Sequence, residues 1–147
     1  RCEFFFGTIS GLWQVANMFQ KPVAISNLYQ FDRIFPPKLD DLALLSNIYS
    51  NKHNKFLKLS EILSEYKANR NIFWDGSHKI YENTELQLLN FIKEFLSKNN
   101  ISKEQMNFNK KKLELINYDY NKSEEGNLIE SILIAHSGHI SKLLLKN

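Results

Sequence analysis

Apolar and polar residues alternate along this chain in a few clear rhythms, and the first stretch is the plainest. Cys2–Phe6 is a short, aromatic-rich apolar run that stops at Gly7, with the length and composition of a strand. Past the Gly7–Gly11 turn, Leu12, Val15, Ala16 and Phe19 recur at i, i+3, i+4 and i+7, which predicts a helix that buries those four on one face. Gln20-Lys21-Pro22 ends it, because proline disfavours helical angles in the residue before it. Val23-Ala24-Ile25 follows as a second buried strand and closes at Ser26-Asn27. Strand, about ten helical residues and strand make one βαβ unit, whose two strands must run parallel.

The middle of the chain is less regular. Phe35-Pro36-Pro37 breaks any helix, and Asp40–Tyr49 reads equally as a short helix or an extended loop. Phe56–Leu59 suits a short strand, after which Ser60 is the expected cap of a helix carrying Ile62, Leu63 and Tyr66. Asn69, Asn71, Asp75 and Gly76 surround Ile72-Phe73-Trp74, the composition of an ordered loop with aromatic anchors. His78–Glu82 reads as a strand. Thr84 and Gln87 then form a capping box that opens a helix with Leu88, Leu89, Ile92, Phe95 and Leu96 on its packed face. Ser102 and Gln105 repeat the device, predicting a helix to about Ile116. Leu128, Ile129, Ile132 and Leu133 sit at helical spacing, with Gly138 as a stop and Ile140–Leu145 as a last turn or two.

Composition narrows the class. With 147 residues, 43% hydrophobic and 24% charged, the chain is an ordinary globular domain in size and balance. Five Gly and three Pro exclude collagen-like and Pro/Gly-rich disordered readings, and no apolar run is long enough for a membrane span. A single Cys excludes an internal disulfide or a Cys-rich zinc site, and Cys2, read as part of an apolar strand, is expected to be inert. The net charge of +3 divides almost evenly between residues 1–75 and 76–147, so no nucleic-acid stripe or membrane-docking patch is expected. The excess of Lys over Arg, together with many Asn, says little about partners.

Candidate chemistry concentrates in Gly7-Thr8-Ile9-Ser10-Gly11-Leu12, a strand-to-helix turn with two glycines and two hydroxyls. Unpaired amides at a helix start attract anions, and Gly11 would let a phosphate approach the backbone. The spacing is neither a dinucleotide fingerprint nor a Walker loop, and Ser10 serves equally as a plain helix cap. His136 and His139 lie three apart with no carboxylate or Cys pattern beside them, so no metal site is expected. Asp40-Asp41 and Glu124-Glu125 are sequence neighbours that do not face one another as a catalytic dyad would. Trp13, Trp74 and the Phe clusters are expected in the core.

The run CEFFFGTISGLWQVANMFQKPVAISN resembles a pattern of bacterial glycosyltransferases from surface-polysaccharide gene clusters, centred on a GT-x-SG turn followed by KPV. Later pieces agree in order: DDLALLSNIY, FLKLSEIL, IYENTELQLLNFIKEFL and the closing GHISKLLLKN. The pattern more often carries a small residue or Gly at the places of Ile9 and Gln20. The resemblance implies a GT-B-like enzyme of two Rossmann-like domains, with a nucleotide sugar held by the C-terminal one. It makes Gly7, Thr8, Ser10, Gly11 and Leu12 the diphosphate cradle. Asn27 stands at the carboxyl edge of the sheet, where open α/β folds bind ligands. No catalytic base transfers; Glu82 and Asp41 are the carboxylates to test. No metal and no cofactor is implied, and no Asp-x-Asp motif is present.

The expected fold is therefore α/β and Rossmann-like, a partial parallel sheet flanked by helices, as in the C-terminal half of a GT-B-type enzyme. Residues 1–147 would form one nucleotide-sugar-binding domain, with an α/β core over 1–97 and a mainly helical tail over 98–147. A chain of this length holds only one half, so it is read as a fragment. It would lack the N-terminal acceptor domain, be inactive alone, act in the cytoplasm, and form a homo-oligomer through an orphaned sheet edge. The alternatives are a truncated, non-catalytic α/β interaction module and, on a similar scaffold, a nucleotide-sugar epimerase.

Overall fold

The computed structural model describes residues 2–29, 38, 40–69, 71–97, 105 and 139–141. The opening βαβ unit forms as its sequence rhythm predicts. Strand β1 (Phe5–Gly7) runs parallel to β2 (Val23–Leu28), with Phe5 opposite Val23 and Gly7 opposite Ile25, and α1 (Leu12–Met18) connects them. Cys2 lies ahead of the strand and is exposed, not embedded in it.

Asp40–Tyr49 is neither helix nor loop. Leu42–Leu45 forms β3, parallel to β2, and Asn47–Ser50 forms β4 in a second sheet. All four residues of β3 are buried, as are five of the six in β2. An unbroken apolar run fits a parallel strand covered on both faces, and periodicity alone does not separate such a run from other buried structure. A fourth strand, β7 (His139–Ile140), pairs parallel with β3, giving the order β1-β2-β3-β7. The expected tail helix starts only after Gly138, yet His139 and Ile140 are extended here, because β3 offers them a ladder partner. Gln105 is helical, as its capping signal requires; the remainder of that predicted helix, the Leu128–Leu133 segment and His136 lie outside the described residues.

Between β3 and Glu85 the chain builds a small antiparallel sheet of β5 (Lys55–Phe56), β4 and β6 (His78–Tyr81), in the order β5-β4-β6. Helix α2 (Leu59–Ala68) starts two residues earlier than Ser60 would cap it. Lys58 is the N-cap, and its amide donates to Glu61 Oε2 at 2.8 Å. Helix α3 (Glu85–Leu96) is capped as the sequence predicts, with the Thr84 amide donating to Gln87 Oε1 at 2.8 Å and the Gln87 amide to Thr84 Oγ1 at 3.3 Å.

Both faces of the parallel sheet are covered. On one, Val23, Ile25, Ala43 and Leu45 pack with Ile62 and Tyr66 of α2, Ile72, and the half-buried Trp13 and Ala16 of α1. On the other, Ala24, Leu42 and Leu44 meet Phe91, Leu88 and Phe95 of α3. The alternation along β2 and β3 follows the pleat, which sends successive side chains to opposite faces. Among the described residues no helix is long and apolar enough to cross a membrane.

The helices use their apolar faces differently from the periodicity. Helix α1 packs through Trp13 and Ala16, whereas Leu12, Val15 and Phe19 are exposed. Helix α3 centres on Phe91, with Leu89 and Leu96 exposed. Trp74 is also exposed, at 60%, so it is not the core residue its type suggests.

Candidate functional site

The turn after β1 is held from the neighbouring strand. Ser26 Oγ donates to the Gly7 carbonyl at 3.2 Å, and the Phe5 ring lies over Gly7 so closely that an added Cβ would stand 2.7 Å from Phe5 Cζ. Any side chain at Gly7 would have to push that ring aside. The chain thus leaves β1 at the carboxyl edge of the parallel sheet and enters α1 through exposed Thr8, Ser10, Gly11 and Leu12.

Helix α1 begins without a side-chain cap. Its N-cap is Gly11, not Ser10, and the first turn closes through Trp13 N to Ser10 O at 3.4 Å and Gln14 N to Gly11 O at 3.2 Å. The amides of Ser10, Gly11 and Leu12 donate to no other described residue. A Cβ at Gly11 would meet nothing within 4 Å. The mouth of the turn is open and faces outward, so an anion can reach those amides.

Asn27 stands at the same edge and is committed to structure. Its φ of 54° places it in the left-handed region, which Asn tolerates well, and the β2–β3 register shifts between Ile25 and Leu28. Asn27 N donates to Asn83 Oδ1 at 2.9 Å, Asn83 N returns a bond to Asn27 Oδ1 at 2.6 Å, and Asn83 Nδ2 donates to Leu45 O at 2.8 Å. This reciprocal pair clasps the β6–α3 junction onto the ends of β2 and β3. Asn83 is the residue that reading the sequence missed. Its place directly before the Thr84 cap was a signal, but it marked a turn without naming a partner.

The two candidate carboxylates part company. Glu82 is exposed and directly precedes Asn83, which puts it on the edge that carries Asn27. Asp41 precedes β3 and so sits at the opposite, amino edge of the parallel strands. Its side chain, 1% exposed, accepts from Val23 N at 2.8 Å and Lys38 N at 3.0 Å. Burial raises its pKa above the ordinary carboxylate range, against the pull of those two amides. Asp41 pins the starts of two strands; it does not face the turn.

Elsewhere, an open cleft of about 230 Å³ between α2 and the β4–β5 turn is lined by His53, Lys55, Glu61, Ser64 and Glu65. None of the turn residues borders it. Among the described residues no three His, Cys, Asp or Glu side chains converge as a metal site.

The class these observations define is a mixed α/β protein with an open strand-to-helix turn at the carboxyl edge of its parallel sheet. No family model, curated protein or solved structure matches the chain.

Proposed function

We propose that this chain is a nucleotide-sugar-binding domain of a cytoplasmic glycosyltransferase that builds surface polysaccharide, with a Rossmann-like sheet of the GT-B type. The observation that carries the reading is the open turn. Gly7, Thr8, Ser10, Gly11 and Leu12, on which the resemblance rests, lie together at the sheet's carboxyl edge, where the amides of Ser10, Gly11 and Leu12 donate to no other described residue. Open α/β sheets bind ligands at that edge. The amides and hydroxyls would hold the diphosphate and stabilise the charge that builds on it as the sugar departs, with donors already in place. Asn27 would shape the edge through Asn83, and Glu82 is the carboxylate on the right side to act as a base. The acceptor would be held by another domain.

The test is calorimetric titration of UDP, GDP and their sugars against the protein, Ser10→Ala and Gly11→Val. Gly11 has a φ of −58° and open space around it, so valine fits the fold and obstructs only the approach of a ligand. The Ser10 hydroxyl bonds to no other described residue, so its loss is silent for folding. Gly11→Val should weaken binding at least about tenfold, or about 1.4 kcal/mol. Ser10→Ala should weaken it by about 1 kcal/mol. Binding indifferent to both substitutions disposes of the cradle.

A second reading, an interaction module, is favoured by one observation: Leu12, Val15, Met18 and Phe19 form an exposed apolar stripe along α1. On that reading no nucleotide binds, and the chain sediments as an oligomer that Leu12→Ser with Phe19→Ser dissociates.

A further inference from the structure

Away from the turn, a buried histidine sits between two carboxylates. His78, at the start of β6, has a side chain only 2% exposed. Its Nδ1 lies 2.6 Å from Ser77 Oγ, and its Nε2 lies 2.8 Å from Glu65 Oε2 of α2. The Ser77 hydroxyl donates in turn to Asp75 Oδ1, which also accepts from Ser77 N at 2.8 Å.

Proton counting along this chain of contacts leaves few arrangements. A hydroxyl has one proton, and the Ser77 proton goes to the Asp75 carboxylate, which can only accept. The Ser77 oxygen therefore offers a lone pair to His78, and Nδ1 must be the donor. A neutral ring with Nδ1–H leaves Nε2 bare, buried, and 2.8 Å from an anionic oxygen. Nε2 finds no hydrogen-bond partner in this geometry, because the Glu65 oxygen lies close but out of line. A bare lone pair there is an unsatisfied buried acceptor that also repels the carboxylate. A proton on Nε2 turns the same contact into an ion pair that a small tilt aligns.

We propose that His78 is a proton-dependent clasp: charged, it ties the 71–77 loop and β6 to Glu65 of α2, and losing the Nε2 proton to solvent releases Glu65. The facing groups are few. Glu65 comes from α2 and Asp75 from the loop. His53, on the β4–β5 turn and 43% exposed, approaches the other Glu65 oxygen at 3.4 Å, and Lys55 holds Glu61 at 2.5 Å across the same cleft. Once freed from His78, Glu65 has His53 as its remaining neighbour, so the cleft between α2 and the turn opens on the His78 side. Asp75 stays an acceptor in this chain of contacts: its pKa is lowered, chiefly by the Ser77 hydroxyl and amide.

The clasp reaches the sheet's carboxyl edge. The 71–77 loop carries buried Ile72, and its Phe73 and Trp74 rings each sit 6.1 Å from Tyr29, just beyond β2. The assignment itself does not depend on nucleotide binding.

Long-range proton–nitrogen NMR of the histidine rings tests it, with the His78 signals assigned by their loss in His78→Gln. As the pH is raised stepwise, His78 should start with protons on both nitrogens, and its loss of the Nε2 proton should coincide with a several-fold fall in the protection of the Asp75 and Ser77 amides, each exchange rate being divided by its intrinsic rate at that pH. Glu65→Gln, a change at a half-buried position that serves should His78→Gln fail to fold, should remove that coupled fall in protection. A His78 Nε2 that bears no proton anywhere in the folded pH range, or the same fall in protection in Glu65→Gln, overturns the clasp.

Discussion

Gln20 shows how much one backbone angle can say. It follows α1 with a φ of 56°, while Gln20 N donates to Asn17 O at 2.9 Å and Lys21 N to Ala16 O at 3.0 Å. That pair of bonds is a Schellman ending, whose left-handed position glycine fills without strain. Gln20→Gly should raise stability by about 0.5–1 kcal/mol in urea unfolding, since the strain of a left-handed non-glycine exceeds the added freedom of the unfolded chain. Asp41 makes a contrasting case. Asp41→Ala leaves two amide donors without acceptors and should cost about 2–4 kcal/mol. Asp41→Asn keeps an acceptor for Val23 and should cost less. The pH sign is the reverse of an ion-paired carboxylate. Burial raises the folded pKa, so the native state holds the proton more tightly than the unfolded chain, and stability from this group declines as pH rises through that raised value. In denaturant unfolding across the acid range, the stability of the wild type minus that of Asp41→Asn should decline as pH rises, since the opposite contributions of Glu61 and Asp75 cancel in the difference.

At the scale of elements, caps were more legible than faces. Thr84 with Gln87 specifies the start of α3 by local chemistry, and the bonds form where the two side chains put them. The face of α1 was misjudged for a reason visible in its residues. Leu12, Val15, Ala16 and Phe19 have the helical spacing, but Trp13 is the larger apolar body, and it packs with Ala16 against the core cluster. Trp13→Ala should therefore cost about 2–3 kcal/mol, while Leu12→Ser and Phe19→Ser, measured on the monomer, should stay within about 0.5 kcal/mol. Thermal or urea unfolding of the three variants separates the packed face from the exposed one. Helix α2 gives the same lesson in miniature: Ser60 has the right chemistry for a cap, yet Glu61 reaches back to Lys58 and starts the helix earlier.

Across the whole molecule, contacts between distant segments complete the architecture. The parallel sheet is covered by α1 and α2 on one side and by α3 on the other, and β7 extends it beyond β3. Ser141, next to β7, donates its amide to Ala43 O at 2.7 Å and its hydroxyl to Glu94 of α3 at 2.5 Å, so it ties β7 to sheet and helix together. The βαβ opening, the α3 cap and the glycine-rich turn were written in the sequence, because each depends on neighbours a few residues away: periodicity, a hydroxyl and its amide, a glycine before a helix. Tertiary structure alone decided that Leu42–Leu45 is a strand, that His139–Ile140 pairs with it, that Asn27 meets Asn83, and that Asp41 faces away from the turn. Those outcomes depend on which segments meet in space, and a ladder bond or a buried carboxylate is satisfied by whichever partner the packing delivers.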